Sequence, residues 1–583
     1  MDISLRIKVL LIWFFLIGLL VGARLFYWQV IAADYLAAAA EKQHWISFEV
    51  AAERGEIFAS DRFPLVSNEE AYLVFASLPD LKEDVKAVAA KLAPLLVSEL
   101  DQEQIATGSS LKEEKWRLLK NTEIELKERL SREDLVWVPL KHKVNREARV
   151  GIESLEIEGI GFEEEPRRIY PEASSAAHLL GFVGSDINGR EKGYFGLEGF
   201  YDLELRGKTG ILRREKDVAN RPILVGETSG EEKQDGRSLF LTLDRAVQFI
   251  AEQGLKKGIE KYGAVSGSVI IMEPQTGAVL AMASFPAYDP AKFSQYEKEL
   301  YVNPIVGNSF EPGSVFKVLI MAAALDAGVV EPDTRCSNCD GPRVISDYTL
   351  RTWNDEYPPN PTMIEVIQQS NNIGMVFVGE KLGVEKLVAC LENFGIGQLT
   401  GIDLEEETTP DLRPKSEWKK IDLATATFGQ GIAVTPIQMI QAVGAIANGG
   451  VLVKPFLVKK VVGEEEIVIE PKISKQPISP TTAKVVTEMM VNATEKGEAK
   501  WAKPEGYRIA GKTGTAQIPV AGHYDEEKTI ASFVGFAPAD KPRFIMLVTL
   551  REPTTSPWGS ETAAPLWFNI AKELFIYFGI LPE

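Results

Sequence analysis

Hydrophobic and polar positions alternate in three different ways along this chain. From Val9 to Ala23 the run VLLIWFFLIGLLVGA is unbroken; Arg24 interrupts it, and LFYWQVI carries it on to Ile31. Residues 9–31 therefore predict one helix that spans a bilayer, which takes roughly 20 apolar residues. Arg6 and Lys8 precede it, so residues 1–8 are expected as a cytoplasmic tail and everything after 31 as extracytoplasmic. Arg24 is expected to snorkel to the outer interface beside Tyr27 and Trp28. A cleaved signal peptide competes with this reading, since Ala37 to Ala40 offer small residues. The apolar segment is long for a signal peptide, however, and the small residues come late.

Residues 32–237 are polar and mixed. Residues 32–43 predict a helix, WISFEV (45–50) and 71–78 predict strands, and the charged stretch 80–135 predicts solvated helices. Closely spaced glycines at Gly193, Gly196, Gly207 and Gly210 predict tight turns between short strands. The polar run GEEKQDGR (230–237) reads as a linker.

Residues 238–583 change again. LFLTLD (239–244) predicts a strand, and 245–262 a helix that is apolar at Val247, Ile250, Leu255 and Ile259. Two apolar runs follow, joined by the hairpin signal Pro274-Gln275-Thr276-Gly277. Strands are predicted at 507–515, 529–539 and 543–550, and a closing helix at 563–579. The segment SVFKVLIMAAALDAG (314–328) has almost no polar face, which predicts a buried helix ending near Gly328. Yet Lys317 stands in its first turn, on the same face as Ser314, where a charged ammonium is costly. A buried lysine loses its proton more readily, and a serine needs such a neighbour to become a nucleophile.

Composition narrows the functions. The 583 residues are too many for one ordinary domain. A net charge of −19 disfavours nucleic acid, whose phosphates need a basic face. The four histidines, His44, His142, His178 and His523, are scattered, and Cys336-Ser-Asn-Cys339 is a lone C-x-x-C without a second ligand pair, so no metal site is expected. Those two cysteines form either a local disulfide or two free thiols.

Three short motifs then fall in order: Ser314-x-x-Lys317 opening the buried helix, Ser370-x-Asn372 between two predicted helices, and Lys512-Thr513-Gly514 on a strand. Each is weak alone. Together, each in its own setting, they are a strong signal. With IIMEPQTGAVLAMASFPAYDP (270–290), ATFGQGIAVTPIQM (426–439) and GYRIAGKTGTAQ (506–517), residues 240–580 resemble the transpeptidase domain of the penicillin-binding proteins. The anchor and residues 32–237 resemble the pedestal, or dimerisation, module of the class B (monofunctional) members. Residues 196–210 and two of the catalytic-domain stretches look closer to the cell-division and sporulation branch than to the elongation branch.

The resemblance implies an α+β multi-domain protein. It has a single transmembrane helix, an elongated α+β pedestal, and a β-lactamase-like transpeptidase domain over 238–583, in which helices surround an antiparallel sheet and a buried central helix. It implies a peptidoglycan D,D-transpeptidase of septal wall synthesis that needs no cofactor. Ser314 would attack the D-alanyl-D-alanine carbonyl of a stem peptide, Lys317 would take its proton, and Ser370 would relay a proton to the leaving D-alanine. Asn372 would hold the substrate amide and the lysine. Lys512, Thr513, Gly514 and Thr515 would form the wall that grips the terminal carboxylate, with the N–H groups of Ser314 and Thr515 as oxyanion hole. β-Lactams would acylate Ser314. Because no polymerase domain is evident, a SEDS-family glycosyltransferase is the implied membrane partner, and the pedestal is where a homodimer would form. One motif departs from the family: Arg54-Gly55-Glu56-Ile57 is followed by Phe58-Ala59-Ser60 before Asp61-Arg62, and the usual next glycine is missing. Three rivals remain. A serine β-lactamase would need a carboxylate that activates water. A β-lactam sensor would need a cytoplasmic output domain, which the eight residues before the anchor are not expected to provide. A structural division protein would not need its serine.

Overall fold

The computed structural model describes residues 3–37, 45–97, 111–132, 134–187, 189–215, 228–520 and 523–583. Helix α1 (Ile3–Phe26) continues through a wider turn at Tyr27–Ile31. Together they form a 29-residue helix of mean hydropathy 2.5 with no buried residue, the one span among the described residues long and apolar enough to cross a membrane. It begins ahead of Val9 because Ile3–Lys8 contains no helix breaker. The guanidinium of Arg24 lies 5.0 Å from the centre of the Trp28 ring. Of the helix predicted at 32–43, residues 33–37 are helical and 38–43 lie outside the described residues.

The chain divides into two compact units. The first comprises Met1–Arg54 and Arg206–Gly236. Besides α1 it holds an antiparallel sheet of Trp45–Val50, Gly210–Glu215 and Thr228–Glu231. The stretch read as a linker, 230–237, is partly paired: Gln234 exchanges both backbone hydrogen bonds with Lys208, and Gly236 N–H donates to Glu53 O at 2.8 Å. Polar composition there marks exposure, not lack of pairing.

The second unit comprises Gly55–Leu205 and Arg237–Glu583. Its N-terminal part carries the antiparallel strands Trp137–Asn145, Ala71–Ser77 and Ile160–Glu164. Helices Val85–Leu96 and Arg146–Glu153 accompany them, over a core that includes Val74, Val88, Leu92 and Leu140. Asp84 caps the first of these helices by accepting from Lys86 N–H and Ala87 N–H. Strand Ile57–Phe58 lies parallel to Ser238–Leu241 and antiparallel to Pro64–Glu69. The residues that depart from the family motif close a turn, in which Ala59 N–H donates to Phe63 O at 2.9 Å. There Arg62 takes φ 68°, a conformation for which glycine is ordinarily used. Arg245 anchors the turn at Asp61 Oδ2, 3.2 Å away. Deeper in the unit, Arg168 Nε donates to the fully buried Glu198 at 2.8 Å.

The catalytic part is organised by one five-stranded antiparallel sheet. After helix α2 (Arg245–Tyr262) come β1 (Ser266–Met272) and β2 (Val279–Phe285), and later β3 (Ala510–Val520), β4 (His523–Ala537) and β5 (Phe544–Arg551). Their order is β2-β1-β5-β4-β3, so β3 is an edge strand. Side chains alternate across the sheet with period two. Val269, Ile271, Phe533, Met546 and Val548 face α2 and the C-terminal helix Ala563–Tyr577. Ile270, Met272, Val534, Ile545 and Leu547 join the opposite core, which surrounds helix α3 (Lys317–Asp326). A sheet buried on both faces reads as continuous apolar runs, as β1 and β5 do. The buried helix predicted from Ser314 begins as a 3₁₀ turn, Gly313–Phe316, and becomes α-helical at Lys317. A tighter first turn is common at helix starts.

Candidate active site

Each wall of the site owes its place to local chemistry. Ser314 lies in the 3₁₀ turn and Lys317 opens α3, where its side chain is completely buried. Gly313 sits at φ 57°, and a Cβ there would lie 2.7 Å from Thr515 O. Only glycine lets the serine turn and strand β3 approach this closely. The second wall is the junction between helices Met363–Gln368 and Asn372–Asn393. Thr362 and Glu365 form a capping box on the first helix, and Asn371 caps the second through Gly374 N–H at 2.9 Å. Ser370 between them is buried and takes φ 56°, a left-handed conformation that costs a non-glycine residue on the order of 1–3 kcal/mol. The third wall is β3. It runs well beyond the strand predicted at 507–515 and pairs Lys512 with Val534 and Thr515 with Ala531.

The geometry converges on one hydroxyl. Lys317 Nζ donates to Ser370 O at 2.5 Å, Ser370 Oγ at 3.2 Å and Asn372 Oδ1 at 2.7 Å. Lys512 Nζ reaches the same Ser370 Oγ at 2.9 Å and also Thr513 Oγ1 at 3.2 Å. Asn372 Nδ2 donates to Arg351 O at 2.9 Å. Ser314 Oγ is not among the partners of Lys317 within the described residues, although the sequence spacing lets the two meet. The lysine's bonds turn toward the second wall, and hydrogen bonds of this kind commonly tighten only when substrate binds. Burial, and then the neighbouring Lys512 cation, hold the Lys317 ammonium well below its ordinary pKa, with Glu498 opposing. Burial lowers Lys512 too, again opposed by Glu498.

These residues open into a cavity of about 370 Å³ lined by Ser314, Ser370, Asn372, Thr513, Gly514 and Thr515. Thr515 Oγ1 accepts from Gly559 N–H at 2.9 Å, so its own proton points elsewhere. Sequence reasoning missed other residues that line the cavity, namely Arg351, Trp353, Trp558 and Glu498. The rings of Trp353 and Trp558 meet edge to face at 5.4 Å. All four come from loops or helix ends outside the three motifs, and no periodicity marks them. Cys336 and Cys339 are joined by a disulfide with Cα atoms 5.7 Å apart, which resolves the choice their spacing left open.

Fold and cleft define a class: a transpeptidase-type domain in which a serine turn, a serine–asparagine junction and a lysine-bearing edge strand face one cavity. Two family models match the chain, the penicillin binding protein transpeptidase domain at residues 267–575 and the penicillin-binding protein dimerisation domain at residues 49–241. The chain belongs to the class B penicillin-binding proteins. It is 32% identical to stage V sporulation protein D of Bacillus subtilis, over 100% of this chain and 87% of that one. It is 31% identical to peptidoglycan D,D-transpeptidase FtsI of Escherichia coli, over 77% and 73%. The crystal structure of penicillin binding protein 2X from Streptococcus thermophilus superposes with a TM-score of 0.73 at 22% identity, over 92% of this chain and 80% of that one, which shows the shared fold.

Proposed function

We propose that this protein is a serine-type peptidoglycan D,D-transpeptidase that cross-links stem peptides during septal or sporulation wall synthesis. The observation that carries this reading is the pair of lysines, Lys317 and Lys512, bonded to the one hydroxyl of Ser370 beside Ser314. Ser314 Oγ attacks the carbonyl between two D-alanines, and its proton passes to Lys317, whose burial favours the neutral amine. Backbone N–H groups of Ser314 and Thr515 stabilise the oxyanion. Ser370 Oγ, placed between the lysines, hands a proton to the departing D-alanine amine. Asn372 holds the substrate amide, and Lys512, Thr513, Gly514 and Thr515 hold the terminal carboxylate. An amine from a neighbouring strand then takes the acyl group. Among the described residues, edge strand β3 has one side without a partner strand, along which an extended peptide can add.

Helix α1 anchors the protein in the membrane. Arg6 and Lys8 put its start on the cytoplasmic side, and the Cys336–Cys339 disulfide suits an oxidising compartment for the catalytic part. Residues 9–31 and the pedestal are the surfaces for a SEDS-family polymerase, and the pedestal is the surface for a second copy. On this reading residues 1–8 are the tail, 9–31 the anchor, 32–237 the pedestal and 238–583 the transpeptidase domain.

The test is trapping of labelled penicillin by the full-length protein in detergent. Stoichiometric label that is released slowly, and is absent in Ser314→Ala, is expected; absence of label on the native protein would overturn the reading. One observation favours a second reading, serine β-lactamase: Glu498 places a carboxylate in the cleft. Its hydroxyl partner is Thr513, however, and rapid turnover of the labelled penicillin would be needed to support that activity.

A further inference from the structure

Thr513 is the side chain to which the reading above assigns the donor's carboxylate, and a carboxylate already sits on it. Thr513 Oγ1 donates to Glu498 Oε2 at 3.3 Å and accepts from Lys512 Nζ at 3.2 Å. A hydroxyl has one proton, and an ionised carboxylate can only accept. With its proton on Glu498 and its oxygen turned toward Lys512, Thr513 has no donor left for a substrate. The other oxygen, Glu498 Oε1, is buried without a hydrogen-bond partner. A buried acceptor of that kind is costly, so this side chain is not held by a full set of bonds. Glu498 also lines the same cavity as Ser314, Thr513 and Thr515.

We propose that Glu498 is a specificity-determining residue that gates the carboxylate end of the cleft, competing with the acyl donor for the single Thr513 proton and repelling anionic donors. Before a donor binds it keeps a counter-charge one hydroxyl away from the buried Lys512 cation. When a donor enters, the donor's carboxylate must displace Glu498 from Thr513 and take over that role. The enzyme thereby favours donors with enough further contacts to offset the exchange, and discriminates against small carboxylate-bearing acylating agents such as simple β-lactams. The inference rests on the proposed role of Thr513.

The test compares two probes on the full-length protein: a β-lactam with its free carboxylate, and the methyl ester of the same β-lactam. Second-order rate constants for acylation of Ser314 are measured for the native protein, Glu498→Ala and Glu498→Val, neither of which leaves an acceptor for Thr513, at one pH below neutrality. Base chemistry is common to both probes and cancels in their ratio. The carboxylate-to-ester ratio is expected to rise about tenfold in both variants, the size of one hydrogen bond to a charged group. The rise should shrink with added salt. A ratio that stays unchanged or falls overturns the proposal, as does loss of both rates together in both variants, which would give Glu498 a structural role instead. If neither probe acylates the native protein, it is the transpeptidase reading that fails.

Discussion

Lys317 and Lys512 both reach one oxygen: Ser370 Oγ lies 3.2 Å from the first ammonium and 2.9 Å from the second. Among the described residues no carboxylate pairs directly with either. Two like charges at that range, both buried, cannot both be held at ordinary pKa values. The division of labour between a neutral base and a charged anchor follows from this.

Replacing Lys317 by arginine puts a permanent cation in its place and removes the base, because a guanidinium does not deprotonate in proteins. Lys317→Arg is expected to lower the second-order rate of penicillin acylation by roughly 10²–10⁴, the usual contribution of general base catalysis. Stopped-flow or quenched labelling checks it; a loss of less than about tenfold would remove Lys317 from the role of base.

Removing the second cation acts on the first. In Lys512→Gln the repulsion that helps depress Lys317 is gone, so the pKa of Lys317 rises. The acid limb of the acylation pH profile reports the loss of neutral Lys317 as pH falls, and it therefore moves to higher pH. Burial, the larger cause, remains, so the limb stays below the ordinary lysine range. A profile that shifts the other way, or not at all, contradicts the coupling.

Gly313 is a backbone requirement. An alanine there must adopt φ 57° with its Cβ 2.7 Å from Thr515 O. The left-handed conformation alone costs roughly 1–2 kcal/mol. Gly313→Ala is expected to lower the thermal midpoint modestly and acylation strongly, because the serine turn and β3 separate. Melting curves and label trapping on the same sample separate the two effects; full acylation in this variant would show that the approach is not needed.

Arg168 tests stability away from the cleft. Its guanidinium bonds to Glu198, which is fully buried, and to Asn68 Oδ1 at 2.9 Å. Arg168→Met takes the cation from a buried carboxylate, which typically costs about 3–5 kcal/mol. A lowered denaturation midpoint is expected, with labelling of the remaining folded protein unchanged. A midpoint within experimental error of the native one would refute the assignment of this pair as a buried ionic contact that matters.

What the sequence determined by itself is local. The run 9–31, apolar but for Arg24 and Gln29, reads as one helix of membrane length, since it has no continuous polar face to offer water. The apolar stretch behind Ser314 had to be buried, and the three motifs identified the chemistry because each sits on the element that suits it. The disulfide stayed open, because spacing alone allows either state of Cys336 and Cys339. Other features were decided by tertiary packing. Ser370 and Lys512 are 142 residues apart, and only the folded sheet and helices bring them within hydrogen-bond reach. That same packing turned Lys317 toward Ser370 and Asn372 rather than toward Ser314, its neighbour in sequence. It also put Glu498, from an ordinary charged stretch, against Thr513. Electrostatics in a cleft depends on distances between elements, and hydrophobic periodicity carries no information about those.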